Sequence, residues 1–335
     1  KTAEAALARL KAAAGNTLKV AEVNRKERKR RPSPPFITST LQQEAARKLG
    51  FTTKKTMQVA QKLYEGVNIG EEGTVGLISY MRTDSTSLSG EALGQLREVI
   101  VQEFGKHNLP AEANVYKSKS KNAQEAHEAI RPTFAGRTPA RIGKYLSDDE
   151  RRLYELIWKR AVACQMIPAT LNTVSVELAA GPQHGFRATG TTVVDPGFLL
   201  VYEEGKDQKD SEDDEANTQL PPLVEGQSVT LDDILGEQHF TKPPPRYTEA
   251  SLVKTLEEYG IGRPSTYSSI IQTLIYKAYA LLESRAFRPT DVGRLVNRFL
   301  TSHFEHYVDY DFTAKLEDEL DSVSRGEEPW TVLME

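Results

Sequence analysis

The chain alternates between stretches with a helical repeat of apolar positions and stretches with a two-residue repeat. Residues 1–14 read as a short amphipathic helix that ends before Gly15. Leu18-Lys19-Val20-Ala21-Glu22-Val23 alternates like a strand. The basic run from Arg25 to Arg31, followed by Pro32, Pro34 and Pro35, is expected to break regular structure, so a domain crossing is placed near residue 32. Thr38 or Ser39 can cap a helix that runs to Leu49 and stops at Gly50, and Thr52 or Thr53 can cap a second helix to about Glu65. A strand is expected from Val75 to Met81, then a helix from Ser87 or Ser89 to about Phe104.

Residues 106–122 read as a loop carrying Lys117, Lys119 and Lys121, and Gln124 to Ile130 as a short helix closed by Pro132. Ser147 and Glu150 form a capping box for a long helix that Pro168 ends. Residues 170–235 change to a β pattern, with strands expected at 174–178, 186–194 and 197–203 and an acidic, polar loop at 204–219. After Pro243-Pro244-Pro245, a helix is expected from Thr248 to Tyr259, a glycine turn at Gly260 and Gly262, a helix from Pro264 toward Ala280, and a β-hairpin over 281–289. Residues 39–82 and 249–290 thus share one order: helix, turn, helix, β segment. That order suits two helix-turn-helix units with wings.

Composition narrows the class. With 335 residues the chain has room for two or three domains. Its apolar share of 39% and charged share of 27% are those of an ordinary soluble protein. No apolar run approaches the ~18 residues of a membrane span, and no signal-peptide pattern is present. The one cysteine, Cys164, has no partner in the chain for a disulfide and sits in an apolar helical run, so packing and a reducing cytoplasm are expected. The net charge of −4 does not announce a nucleic-acid binder, but the charge is uneven: 25–31 is basic and 203–215 mostly acidic. The chain opens without an initiator methionine and is expected to be a central fragment of a larger protein.

The densest cluster of chemistry is Gly76-Leu77-Ile78-Ser79-Tyr80-Met81-Arg82-Thr83-Asp84-Ser85-Thr86. A phenol beside a fixed cation and several hydroxyls suits attack on a phosphodiester. An ordinary tyrosine is only roughly 0.1% phenolate at pH 7, a deficit of about 4 kcal/mol, which a guanidinium can offset while neutralising a phosphate oxygen. Asp84 can equally cap the following turn with Ser85. Gly262-Arg263-Pro264-Ser265-Thr266 has the chemistry of a phosphate site, with glycine for close approach, proline for the first helical turn and added donors. Partial protonation would let His127 hold a phosphate, whereas Arg131 before Pro132 is equally suited to end a helix. Neither acidic run, 210–215 nor 317–321, has the pattern of a metal site; on a helix the members of the second would point in different directions.

Four stretches resemble the type IA DNA topoisomerases in their bacterial topoisomerase I form. They are the Tyr80 run, Pro34-Pro35-Phe36-Ile37-Thr38-Ser39-Thr40-Leu41-Gln42, Ala126-His127-Glu128-Ala129-Ile130-Arg131-Pro132-Thr133, and Glu249-Ala250-Ser251-Leu252-Val253 with Gly260-Ile261-Gly262-Arg263-Pro264-Ser265-Thr266-Tyr267. The resemblance implies an α+β multidomain chain in which helical, winged-helix-like domains are joined by a β-rich arch. Residues 1–32 and 169–240 would form the arch and hinge, 33–168 the tyrosine domain, and 241–335 part of a helical DNA-binding domain.

It also implies Tyr80 as nucleophile and Arg82 as its phosphate-positioning partner. His127, Arg263, Thr266, Ser265, Asp84, Arg131 and Lys277 are implied as DNA-contacting positions. The partners implied are single-stranded and negatively supercoiled DNA, with no ATP, acting as a monomer. Magnesium would be bound by a Toprim domain for which this chain has no counterpart, so the chain alone is expected to bind single strands without completing relaxation. The chain departs from the family at Tyr276-Lys277-Ala278, where an Asp-Arg-Gly turn is usual, and at 67–75, which reads as an insertion. A non-catalytic single-strand-binding module is the alternative. A tyrosine recombinase is disfavoured because Tyr80 precedes the arginines and histidine.

Overall fold

The computed structural model describes residues 2–117, 127–205 and 220–334. In chain order they form α1 (Thr2–Ala14), β1 (Thr17–Arg30), α2 (Thr38–Glu44), α3 (Thr53–Glu65), β2 (Val67–Asn68), β3 (Thr74–Val75), α4 (Gly90–Val99), α5 (Pro139–Ile142) and α6 (Asp148–Ala163). There follow β4 (Ala169–Ala180), β5 (His184–Asp195), β6 (Ser228–Thr230), α7 (Glu249–Glu258), α8 (Tyr267–Tyr276), β7 (Ala280–Glu283), β8 (Ala286–Pro289), α9 (Asp291–His303), α10 (Glu305–Val308) and α11 (Tyr310–Ser324). Helix and sheet are mixed, and the described residues divide into two compact units. One takes in 2–31, 168–200 and 220–244; the other takes in 32–117, 127–167, 201–205 and 245–334.

The first unit is an antiparallel sheet in the order β5-β4-β1-β6. Ala14, Leu18, Ala180 and Ile234 form its small core, with Leu7 and Leu10 of α1 packed against them. Contrary to expectation, the basic run does not break the chain but continues β1 to Arg30, paired with β4 from Lys19–Ala179 to Arg30–Ala169. Backbone pairing is indifferent to charge when the side chains stand out into solvent, and most of this run is exposed. The strands expected at 174–178 and 186–194 lie within β4 and β5. The strand expected at 197–203 is instead a 3₁₀ turn, Gly197–Leu200. Gly197 has a φ of +47°, and its N–H donates to the Asp195 carboxylate at 2.9 Å, which turns the chain there.

The second unit is mostly helical. The α2 helix runs through a wide turn to Leu49 and stops at Gly50, whose φ of +69° is the left-handed cap expected of glycine. The N-terminus of α3 is capped twice: Thr52 accepts from the Lys55 N–H at 3.1 Å, and Glu249 at the start of α7 accepts from the Thr53 N–H at 2.5 Å. In this unit α2 packs on α7 and α3 lies against α8 and α6. The expected Ser147–Glu150 capping box is present, and α6 buries Leu153, Tyr154, Ile157 and Ala161. Cys164 is fully buried, which pushes its thiol up to about 12, so it packs rather than reacts. Arg160 donates to the Pro34 carbonyl at 2.6 Å and to Glu204 at 3.0 Å between the rings of Phe36 and Tyr202, fixing the segments on either side of it.

Three further expectations are corrected. Val75 to Met81 is not a strand: β3 is only Thr74–Val75, and beyond it Ile78 makes a single bridge to Pro132. Proline has no N–H to extend a ladder. Residues 127–129 are not helical, and Ile130 bridges Phe36 instead; residues 124–126 of the expected helix lie outside the described residues. The α8 helix begins at Tyr267 rather than Pro264, because the Thr266 N–H folds back to the Arg263 carbonyl at 2.8 Å. The 67–75 stretch forms the β2–β3 ladder with a 3₁₀ turn at its tip.

Candidate active site

Tyr80 sits on a segment held on both sides. Before it, the Ser79 hydroxyl donates to the Ala129 carbonyl at 2.7 Å and accepts from the Arg131 N–H at 2.9 Å. After it, the Thr38 hydroxyl donates to the Met81 carbonyl at 2.8 Å and accepts from the Thr83 N–H at 2.9 Å. Ile78 and Met81 are each 1% exposed, and Tyr80 between them is 38% exposed. Burial of its neighbours therefore turns this phenol outward, where an apolar ring gains least. Gly76 permits the approach: a Cβ there would lie 2.6 Å from the Tyr64 carbonyl oxygen.

The same hydrogen bonds bring the histidine segment alongside. The His127 ring lies edge-on to that of Tyr80 at 6.0 Å, and the Tyr64 ring of α3 meets Tyr80 at 5.3 Å. Glu128 fixes the histidine's neighbour by accepting from the Ser89 N–H at 2.6 Å and from the Arg131 Nε at 2.9 Å. Burial alone would raise the Glu128 carboxyl, but donors from Ser89 and Arg131 outweigh it and hold it below the usual range. Arg131 spends its guanidinium on Glu128 and the Pro132 carbonyl, at 2.9 Å from Nη1. It thus closes the turn and holds the histidine segment in shape.

Arg82 is exposed and has no hydrogen-bond or ion-pair partner among the described residues. It lines a cleft of about 1200 Å³ whose walls are α3 and α8, including Ser265 at the entry to α8. The turn after Arg82 is capped by Thr83 and Ser85, whose hydroxyls accept from the N–H groups of Ser85 and Ser87 at 3.0 and 3.2 Å. Asp84 is half-buried, and its charge helps raise the phenol of Tyr267, after the larger effects of burial and Glu257.

Arg263 contrasts with Arg82. Its Nε and Nη2 donate to Asp321 at 3.1 and 2.7 Å, Nη2 also to Asp318 at 3.4 Å, and Nη1 to the carbonyls of Gly260 and Gly262 at 3.2 and 3.0 Å. These five bonds match the five donors of a guanidinium. Burial works against its charge, but Asp321, Glu317 and Asp318 more than compensate and raise its pKa. Contrary to expectation, three members of the acidic run at 317–321 converge on this one cation: Glu317 and Asp318 stand four and three residues before Asp321, on the same side of the helix. Thr266 is also committed, accepting from the Arg263 N–H at 2.8 Å. Lys277 is exposed at the end of α8, beside Ala278, whose φ of +52° is one that glycine takes at less cost.

Sequence reasoning did not single out Tyr64 or the structural use of Glu128. Tyr64 could have been found from the helical spacing that places it at the end of α3; the Glu128–Ser89 contact is long-range and has no local signal. Among the described residues, no three His, Cys, Asp or Glu side chains converge as a metal site, and no helix is long and apolar enough to cross a membrane.

An outward tyrosine, pinned beside a histidine and near an uncommitted arginine, is an arrangement suited to covalent chemistry on a phosphodiester. The sequence profile of the DNA topoisomerase family matches residues 1–335, and the chain belongs to that family. It is 66% identical over 333 residues to DNA topoisomerase 1 of Xylella fastidiosa (strain Temecula1), covering 99% of this chain and 41% of the relative. It is 53% identical over 312 residues to DNA topoisomerase 1 of Rickettsia felis, covering 93% and 40%. The structure of full-length topoisomerase I from Thermotoga maritima superposes with a TM-score of 0.85 at 38% identity, covering 98% of this chain and 52% of that one. The chain spans about 40% of the length of these curated relatives.

Proposed function

We propose that this chain supplies the strand-cleaving tyrosine of a type IA DNA topoisomerase. The Tyr80 oxygen attacks a phosphodiester in a single strand: a bond forms from that oxygen to phosphorus, and the bond from phosphorus to the 3′ oxygen breaks. The phenolic proton passes to solvent and the 3′ oxygen takes one up. The strand is left joined to Tyr80 through its 5′ phosphate. Attack by the 3′ hydroxyl reverses the step. One phosphodiester replaces another, so the exchange is near energy-neutral and needs no ATP.

Arg82 would neutralise the phosphate oxygens and the developing phenolate, and His127 would hold a neighbouring phosphate. On strand binding, phosphate would compete with the α11 carboxylates for Arg263, while Ser265 donates from the mouth of the cleft. Asp84, Arg131 and Thr266 would shape the two turns, and Lys277 would add charge at the end of α8. Magnesium, where the family uses it, has no ligand set among the described residues, so no step assigned here passes through it. Its site and the groups that handle the leaving oxygen are proposed to come from the rest of the protein. We read the two helix-turn-helix units as winged-helix-like, the sheet unit as part of the arch, and the protein as a cytoplasmic monomer acting on negatively supercoiled DNA.

The observation that carries this reading is the outward Tyr80 ring held between Tyr64 and His127 by hydrogen bonds on both flanks. The test is denaturant trapping of end-labelled single strands on the full-length protein. A 5′-phosphotyrosine adduct that disappears in Tyr80→Phe is expected. An adduct that survives that change would place the nucleophile elsewhere in the protein and leave this chain as a non-catalytic DNA-binding module, and linkage through a 3′ phosphate would indicate recombinase chemistry.

A further inference from the structure

The β2–β3 hairpin stands between α3 and the Tyr80 segment, and its tip is tied down. Arg137 donates from both Nε and Nη2 to Glu72 Oε2, each at 3.0 Å, and Arg141 Nη2 stands 3.5 Å from Glu72 Oε1. Tyr145 packs against the same tip: a Cβ at Gly70 would lie 2.8 Å from its hydroxyl oxygen. Glu72 is 39% exposed at its side chain, so the ion pair adds little to stability. Its effect is to direct the guanidinium. Two of the three nitrogens are committed to Glu72, and the third, Nη1, donates to the Thr133 hydroxyl at 3.2 Å.

That hydroxyl has one proton to give. With Arg137 donating to its oxygen, it gives the proton to the Gly76 carbonyl at 2.7 Å. The Thr133 N–H adds a bond to the Leu77 carbonyl at 3.0 Å, and the Ser79 N–H bonds to the Arg131 carbonyl at 2.9 Å. Tyr80 follows at once. Gly76 is also where the chain has no slack, because the Tyr64 carbonyl closes on it from α3. The segment that carries Tyr80 therefore starts between a helix end and the Thr133 hydroxyl. Arg137 is held at its own backbone too. Its carbonyl accepts from the hydroxyl of Tyr154 at 2.7 Å, and Tyr154 is fully buried in α6.

We propose that Arg137 is a positioning residue for Tyr80. Anchored by Glu72 and Tyr154, it sets the Thr133 hydroxyl on the Gly76 carbonyl and so fixes the line along which the phenol approaches a bound phosphodiester. The proposal rests on the reading of Tyr80 as nucleophile. Its effect falls on the rate of the covalent step rather than on strand affinity, because Glu72, Gly76, Thr133 and Arg137 do not line the cleft beside Arg82.

The test is the rate of adduct formation by the full-length protein, trapped with denaturant over a range of single-strand concentrations. Thr133→Val keeps the shape of the side chain and loses the hydroxyl. It is expected to slow the rate at saturating strand about tenfold and to leave the half-saturating concentration unchanged. Thr133→Ser is expected to restore most of that rate. Arg137→Ala is expected to match Thr133→Val, and the two changes together to cost no more than Thr133→Val alone, because one acts through the other. Glu72→Ala is expected to slow the step less, and to add nothing once Arg137 is alanine. Thermal melts verify that each variant folds. A saturating rate in folded Thr133→Val equal to the parent's overturns the proposal, and so does a double variant in which the two losses multiply. Tyr80→Phe is run beside them. An adduct that survives it overturns the nucleophile itself. Loss of the adduct there, with an unaltered rate in Thr133→Val, sinks the role of Arg137 and keeps the nucleophile.

Discussion

The α2–α3 and α7–α8 pairs are built alike and used differently. Each opens with a threonine, pauses at a glycine with positive φ and presents a second helix to one cleft. After α3, the chain returns as an irregular segment pinned by Ser79 and Thr38, with Tyr80 turned outward and Arg82 left without a partner among the described residues. Between α7 and α8, the comparable arginine, Arg263, has every donor engaged by carbonyls and carboxylates. An arginine meant to meet a phosphate at once must keep its donors uncommitted; one that braces a turn must spend them. The same side chain thus marks chemistry in one region and architecture in the other.

The largest effect should separate Tyr80 from its neighbour. In full-length protein, Tyr80→Phe is expected to lower the rate of adduct formation by about 10⁴-fold or more. Tyr64→Phe keeps the ring and loses only the hydroxyl, so its rate should stay within about tenfold. Gel analysis of trapped complexes measures both, and equal losses would break the assignment. The arginines come next. Arg82→Ala is expected to slow cleavage by about 10²–10³-fold while leaving the melting temperature where it was. Arg263→Ala is expected to cost about 1–3 kcal/mol of stability by urea melts, because two carboxylates and two carbonyls lose their donor. If Arg82→Ala destabilises and Arg263→Ala does not, the contrast between the two regions is wrong.

Much of this was legible in the sequence where the signal is local. The capping box at Ser147, the stop at Gly50 and the packing role of Cys164 depend on neighbours within a turn or two, and each appears in the structure. What failed depends on distant partners. The basic run looks like a break, yet β4 pairs with it from Arg25 to Arg30. The Tyr80 lead-in has strand composition, yet the residue opposite it is Pro132, which cannot donate. The α11 carboxylates look dispersed until Arg263 gathers them. At the candidate site, the identities of Tyr80 and His127 were readable, and so was their order. Their closeness was not, because it is made by Ser79 bonding to residues about fifty positions away.

Ser79→Ala tests that closeness directly. It removes a donor to the Ala129 carbonyl and the acceptor of the Arg131 N–H. A loss of about 1–2 kcal/mol is expected in urea melts. Adduct formation should fall as well, because the hydroxyl's bond to Ala129 beside the histidine is lost, although the backbone bond from the Ser79 N–H to the Arg131 carbonyl at 2.9 Å remains. Stability lost with cleavage unchanged would show that Tyr80 and His127 act independently.

The smallest effect concerns Glu128, which has one arginine where Arg263 has three carboxylates. Its carboxyl is held below the ordinary 4.5 in the folded chain by Ser89 and Arg131, against the pull of burial. The unfolded chain therefore binds that proton at a higher pH than the folded one does. The stabilisation is complete above about 4.5 and is lost as the pH falls through the lower folded value. Glu128→Gln removes the charge at every pH, so the stability gap between it and the parent chain should be open at pH 7 and close on acidification below about 4.5. The side chain is partly exposed, and the gap should be no more than about 1 kcal/mol. Urea melts from pH 7 to pH 3 measure it. A gap that persists in acid would mean that Glu128 acts through shape, as a cap on α4, and that its charge adds nothing to holding the histidine segment beside Tyr80.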